Sequence, residues 1–209
     1  MIGLYVLNAL QEEERDRIHR TCVLYIANEG EFYFGREKIA LGDIASRVKQ
    51  FRETEGSGQM LYVSSAYDVN HRRVIFIISL IREAGHERIG LPTELPHGDN
   101  PLGSIETAVL VSISRCDESQ QSQVPVVVVG EDWTTGQRVS LNGRPMVLEE
   151  VPIELKHALD QWGEKVVYVN DAKHVRYGEM TGVLNAIKRA GAKEIRFEPE
   201  CKSGKTTER

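Results

Sequence analysis

The sequence lacks any apolar run long enough to cross a membrane. A membrane-spanning helix needs roughly 18 apolar residues, and no stretch of the 209 residues approaches that length. The opening MIGLYVLNAL is too short for a secretory signal and lacks its basic start. We therefore expect the chain as given to be soluble, and the sequence alone gives no evidence of export.

Cysteine is scarce, and basic residues are not in excess. Cys22, Cys116 and Cys201 are odd in number and show no CxxC spacing, so the sequence predicts neither a complete disulfide framework nor a zinc site. A formal net charge of −5 with a pI near 5.7 argues against a nucleic-acid-binding surface, which needs clustered lysine and arginine.

Motifs of known catalytic and cofactor sites are also missing. There is no GxSxG elbow, no HExxH and no GxGxxG after a strand. The GKT of the tail fails as a phosphate-binding loop, because Pro199 stands where that loop needs glycine. The histidines show no metal-ligand spacing, so we expect no metal and no cofactor. An enzyme has no positive support, although catalytic groups can converge from distant positions.

What the chain does contain is one strand–helix–strand pattern written twice. Met60–Leu91 and Val166–Phe197 align without a gap. The matched positions are Tyr62 with Tyr168, Val63 with Val169, Ala66 with Ala172, Val69 with Val175, Ile81 with Ile187, Ala84 with Ala190, Gly85 with Gly191, and Ile89 with Ile195. Any two such units share periodicity, but matched tyrosine, alanine and glycine exceed what periodicity requires.

Both copies predict a short buried strand, an amphipathic helix and a final strand. The first strands are the apolar runs Leu61–Val63 and Val166–Val169. Each helix is indicated by apolar residues at i, i+3, i+4 and i+7, namely Val74, Ile77, Ile78 and Ile81, or Met180, Val183, Leu184 and Ile187.

Glycine is predicted to end both helices. Gly85 and Gly191 stand just past the last apolar position, where a residue with positive φ is wanted. A final strand follows, around Arg88–Leu91 or Glu194–Phe197, and the two strands of each copy can lie parallel in one sheet.

The segments in front of the two copies also match, although with gaps. Each predicts a hairpin and then a weaker helix. The hairpin strands are Val23–Ile26 with Phe32–Phe34, and Val126–Val129 with Arg138–Leu141. The apolar helix positions are Ile44, Val48 and Phe51, or Ile153, Leu155 and Leu159.

Each half therefore reads as β-β-α-β-α-β. The predicted fold class is α+β, with two tandem two-layer domains, each a small mixed sheet covered by two helices. The predicted divisions are a lead-in 1–21, a first domain 22–91, a linker 92–105, a second domain 106–199 and a flexible tail 200–209. Thr107–Ser114 reads as an extra strand of the second half and is expected at a sheet edge.

Two loops that join strand to helix carry the candidate binding residues. In parallel βαβ units, ligands meet the chain at such loops. The candidates are Tyr67, Asp68, Asn70, His71, Asp171, His174, Arg176 and Tyr177. The alternative is that these residues serve only turn formation and helix capping.

Several segments together resemble the ExbD/TolR family. They are the hairpin GQRVSLNGRP, the strand and helix start VVYVNDAKHVRYGEM, and the helix end RAGA. The second half, 126–197, is the closer match. The first half, 22–91, is a divergent copy in which Ser64–Ser65 replaces Asn170–Asp171 and His71–Arg72 replaces Tyr177–Gly178.

The resemblance implies a non-enzymatic periplasmic domain that couples proton-motive force to envelope transport. Its expected partners are the proteins of an ExbB/TolQ-like proton-channel complex, with peptidoglycan as a further contact. The family's membrane helix and its essential aspartate are not found, so that role is assigned to no residue here. We expect the chain to be a piece of a longer anchored protein at the periplasmic face of the inner membrane, in preference to an unanchored relative.

Three hypotheses stand at this point. The first is the coupling module, with its two halves packed as a pseudo-symmetric pair that imitates a homodimer. The second is a soluble enzyme or small-ligand binder that uses the strand-to-helix loops, which requires a deep pocket with convergent titrating groups. The third is a duplicated scaffold for assembly only.

Overall fold

The computed structural model describes residues 22–28, 30–56, 58–93, 108–113, 125–130, 139–163, 165–171 and 174–197. Most of the predicted linker, the tail, Cys116 and Cys201 lie outside these ranges. No helix in the described ranges is long and apolar enough to cross a membrane.

The two halves have the same order of elements, apart from one strand. The first half contains β1 Cys22–Asn28, β2 Glu31–Phe34, β3 Glu37–Ile39, α1 Ile44–Glu55, β4 Leu61–Ser65, α2 His71–Glu83 and β5 Ile89–Leu91. The second contains β6 Val109–Ile113, β7 Val126–Val129, β8 Val139–Leu141, β9 Arg144–Met146, α3 Val151–Trp162, β10 Val166–Asp171, α4 Tyr177–Arg189 and β11 Glu194–Phe197.

All of these strands form one mixed sheet rather than two. Its order is β3-β2-β1-β4-β5-β6-β11-β10-β7-β8-β9. The α+β class is confirmed, as are the antiparallel hairpins and the parallel strand pairs within each half. Because a single sheet runs through both halves, their division into two separate domains stays a prediction.

The extra strand β6 lies at the middle of the sheet, and its expected position at an edge is wrong. It pairs antiparallel with β5 and parallel with β11. Val111 is paired with both Ile89 and Ile195, which are equivalent residues of the repeat. The halves are therefore related by an approximate two-fold axis through Val111, as the pseudo-symmetric pairing requires.

Two further strands were not anticipated. After the hairpin turns, the chain continues as β3 and β9, which pair antiparallel with β2 and β8 and form the two outer edges of the sheet. Both are short and mostly exposed, so they have little of the apolar alternation by which a strand is recognised in sequence.

The helices pack on the sheet through the predicted apolar residues, with one exception. Positions 74, 77, 78 and 81 of α2 and positions 180, 183, 184 and 187 of α4 are buried. In α3 the buried residues are Val151, Leu155 and Leu159, whereas Ile153 is 63% exposed. The prediction that Ile153 belongs to the buried apolar face of α3 is wrong. It lies two residues from both Val151 and Leu155, and that spacing places it on the opposite side of the helix.

Candidate functional site

The two strand-to-helix loops that carry the candidate residues contact each other. Asn70 and Arg176, which are equivalent in the repeat, form an isolated antiparallel bridge. The backbone N–H of His71 donates to the carbonyl of Val175 (2.8 Å), and that of Tyr177 donates to the carbonyl of Val69 (2.7 Å). Each of these hydrogen bonds is the two-fold image of the other, as in an isologous interface.

The first loop contributes two exposed and two more enclosed candidates. Tyr67 is 46% exposed, and the side chain of Asp68 is 83% exposed. Asn70 caps α2, since its side-chain oxygen accepts a hydrogen bond from the backbone N–H of Arg72 (2.9 Å). His71 is fully buried, with its ring centroid 5.0 Å from that of Phe197.

The second loop also contributes both exposed and buried candidates. His174 and Arg176 are exposed, while Tyr177 is fully buried and its hydroxyl donates to the carbonyl of Pro92 (3.4 Å). Burial raises the pKa of Tyr177, because ionisation would place a charge in the core. Asp171 ends β10 opposite Val129 of β7.

A glycine that was not among the candidates holds the two loops close together. The N–H of Gly178 donates to the carbonyl of Tyr67 (3.0 Å). A Cβ at this position would lie only 1.9 Å from a carbon of the Tyr67 ring. The sequence contained one sign of this contact, because the second half has Gly178 where the first half has Arg72. A glycine allows another group to approach the backbone closely, but the sequence did not show that the approaching group is the Tyr67 ring.

An ion pair between Arg176 and Asp68 crosses between the loops. The Arg176 guanidinium lies 3.3 Å from the Asp68 carboxylate, and both side chains are largely exposed. The backbone N–H of Arg176 also donates to the Glu179 carboxylate (2.9 Å), which fixes the start of α4. An exposed pair of this kind contributes about 0–1 kcal/mol, so it orients the side chains more than it stabilises the fold.

Six of the eight candidates fall into a buried pair and an exposed group, while Asn70 caps α2 and Asp171 ends β10. His71 and Tyr177 pack inside the core and connect the halves. Tyr67, Asp68, His174 and Arg176 lie on the outside of the loop pair, and we call these four the axis surface. Aromatic and arginine side chains of this kind suit contact with another protein. Among the described residues, no group of histidine, cysteine, aspartate or glutamate could hold a metal ion.

Cys22, at the start of β1, is a free and half-buried cysteine. Burial raises the pKa of its thiol to about 12, and the charge of Glu55 adds to the shift. Because the thiolate is the reactive form, burial disfavours reaction of this cysteine at neutral pH.

Comparison with known proteins places both halves in one family. The family model described as biopolymer transport protein ExbD/TolR matches residues 11–95 and again residues 104–200. No curated protein matches the chain. The two matched segments correspond to the two halves found in the sequence and the sheet. The chain therefore belongs to the ExbD/TolR family of biopolymer transport proteins.

Proposed function

We propose that this chain is a non-enzymatic coupling module of proton-driven transport across the cell envelope. In this proposal it lies at the periplasmic face of the inner membrane and works with an ExbB/TolQ-like channel complex through protein–protein contacts. The observation that supports it is the axis surface, because both halves of a family member contribute exposed aromatic and charged side chains to one place.

The exposure of these side chains favours contact over catalysis. An active site in the loops would need titrating groups that are withdrawn from water and converge on a substrate. Asp68 and Arg176 are 83% and 57% exposed in their side chains. His71 and Tyr177, which could serve acid–base chemistry, are both fully buried in the core.

Site-specific photo-crosslinking in cells tests the proposal. A photoreactive residue at Tyr67 is expected to capture a channel subunit, identified by mass spectrometry, and a protonophore is expected to change the yield. The control is the same residue at Ser46, which is exposed on α1. Capture of the subunit to the same extent from both positions, or from neither, would contradict the proposal.

A further inference from the structure

The Tyr67 ring is held in place before any partner arrives. Its backbone carbonyl accepts a hydrogen bond from Gly178, and its ring packs directly against that glycine. The side chain nevertheless remains 46% exposed. A fixed aromatic ring with an open side loses little conformational entropy on binding, so it can serve as the apolar anchor of a docking surface.

Arg176 belongs to the same loop pair as this ring, since it pairs with Asp68, the residue after Tyr67, and stands two residues before Gly178. A guanidinium has five N–H donors. Within the described ranges, its side chain contacts one oxygen of Asp68, at 3.3 Å, and it is 57% exposed. A carboxylate that made a bidentate pair with Arg176 would improve on this single contact.

The axis surface is not symmetric, although the backbone around it is. In the repeat, His174 is equivalent to Asp68, and Arg176 is equivalent to Asn70, with which it forms the bridge. A true two-fold axis would present each side chain twice and accept a partner in two equivalent orientations. Here the divergence of the two halves leaves one arginine at the bridge and therefore one position for a carboxylate.

We propose that the axis surface binds one acidic segment of a partner protein per chain, with a carboxylate on Arg176 and an apolar side chain on the Tyr67 ring. This inference rests on the proposed function and specifies its partner chemistry. Asp68 acts as an internal competitor, since its carboxylate occupies the arginine in the unbound protein.

The ion pair provides a matched pair of variants. Arg176→Gln and Asp68→Asn both break the same exposed contact, so their effects on the free energy of unfolding are expected to be small and similar. Their effects on binding should have opposite signs. Arg176→Gln removes the carboxylate receptor, whereas Asp68→Asn removes its competitor.

The probe is a short synthetic peptide of glutamate and serine with one central phenylalanine, and its counterpart has lysine in place of glutamate. With the full chain we expect the glutamate peptide to bind at one equivalent and the lysine peptide not to bind. Affinity should fall about tenfold in Arg176→Gln and in Tyr67→Ala, and rise severalfold in Asp68→Asn. Arg47→Gln on α1, which breaks the ion pair of Arg47 with Glu37 of β3, should leave affinity unchanged.

Three results would overturn the inference. They are absence of binding by the glutamate peptide, a change of affinity in the same direction in both ion-pair variants, and tighter Arg176-dependent binding of a peptidoglycan stem peptide. A crosslink from Tyr67 to a channel subunit without acidic-peptide binding would refute this inference and leave the proposed function standing.

Discussion

At the scale of single residues, small differences between the two halves decide how the loops fit together. Gly178 stands where the first half has Arg72, and it admits the Tyr67 ring. Tyr177 stands where the first half has His71, and its hydroxyl reaches across the axis to the backbone at Pro92. The two halves have equivalent backbone positions here, whereas their side chains differ and together fill one asymmetric interior.

The close approach at Gly178 gives a prediction with an internal control. Gly178→Ala should lower the free energy of unfolding by about 1–3 kcal/mol, because the added Cβ collides with the Tyr67 ring. Gly182→Ala in the same helix meets only Leu148 at 3.5 Å and should be neutral or stabilise by up to about 1 kcal/mol. Urea denaturation measures both.

A second variant separates the collision from other effects of the alanine. In a Tyr67→Ala background, Gly178→Ala should no longer destabilise the protein, because the ring that it meets is gone. An equal cost of Gly178→Ala in both backgrounds would show that the ring is not the cause.

His86 predicts how stability depends on pH. Burial lowers the pKa of His86, and although hydrogen bonding to the carbonyl of Arg88 opposes this shift, the charge of Arg52 adds to it. In the unfolded chain, the His86 side chain therefore binds a proton near the ordinary histidine pKa of about 6.5. In the folded chain, the same side chain is still neutral at that pH. The free energy of unfolding should fall as pH drops through this value towards the lower pKa of the folded state.

The measurement compares urea midpoints at pH values above and below this window. In His86→Gln, the loss of stability on acidification should be smaller than in the parent chain. An unchanged pH dependence would mean that other groups account for the acid sensitivity.

At the scale of elements, the equivalent helices α2 and α4 end in the same way. Gly85 and Gly191 have φ values of 86° and 94°. The N–H of the residue after each glycine donates to a carbonyl in the last turn, from His86 to Ile81 and from Ala192 to Ile187. These are Schellman motifs, and they confirm the helix ends predicted from the sequence.

The two helix ends differ in their surroundings, which gives a matched comparison. Alanine at either glycine should cost about 1–2 kcal/mol, because an L-residue is strained at positive φ. A Cβ at Gly191 meets open space, whereas one at Gly85 lies 2.5 Å from the Arg52 guanidinium, which donates to the Ala84 carbonyl. Thermal denaturation should therefore show the larger loss for Gly85→Ala; equal losses would argue against the Arg52 contact.

At the scale of the whole molecule, β6 decides whether there are two sheets or one. A strand on a two-fold axis cannot obey that symmetry, because the axis would reverse its direction. It must run parallel to one neighbour and antiparallel to the other, as β6 does. The pseudo-symmetric pair is thus joined by an element that a symmetric homodimer could not supply equally to both halves.

Proline substitutions test this central role. Val111→Pro should lower the free energy of unfolding by about 1–3 kcal/mol, because it removes a ladder donor from the buried strand that joins the halves. Lys38→Pro in the edge strand β3 should cost far less, since Pro145 occupies the equivalent place in β9. Amide hydrogen exchange in β1 of the first half and β10 of the second half would show whether the two halves of the parent chain unfold together. Similar losses for the two variants would contradict a joining role for β6.

The sequence by itself determined the repeated elements, because their signals are local. Apolar periodicity located α2 and α4, β-branched runs located the central strands, and two glycines located the helix ends. Family membership followed from the same segments. The short exposed strands β3 and β9 were not predicted from the sequence, because they bury too little apolar surface to show an apolar alternation.

The arrangement of those elements was decided only by the tertiary structure. The bridge between Asn70 and Arg176, the enclosure of His71 and Tyr177, and the central place of β6 all depend on contacts between residues far apart in the chain. Local periodicity shows which face of an element is buried, but it does not show which other element buries it. For that reason the sequence predicted the two loops as candidates, and only the fold brought them together on one axis.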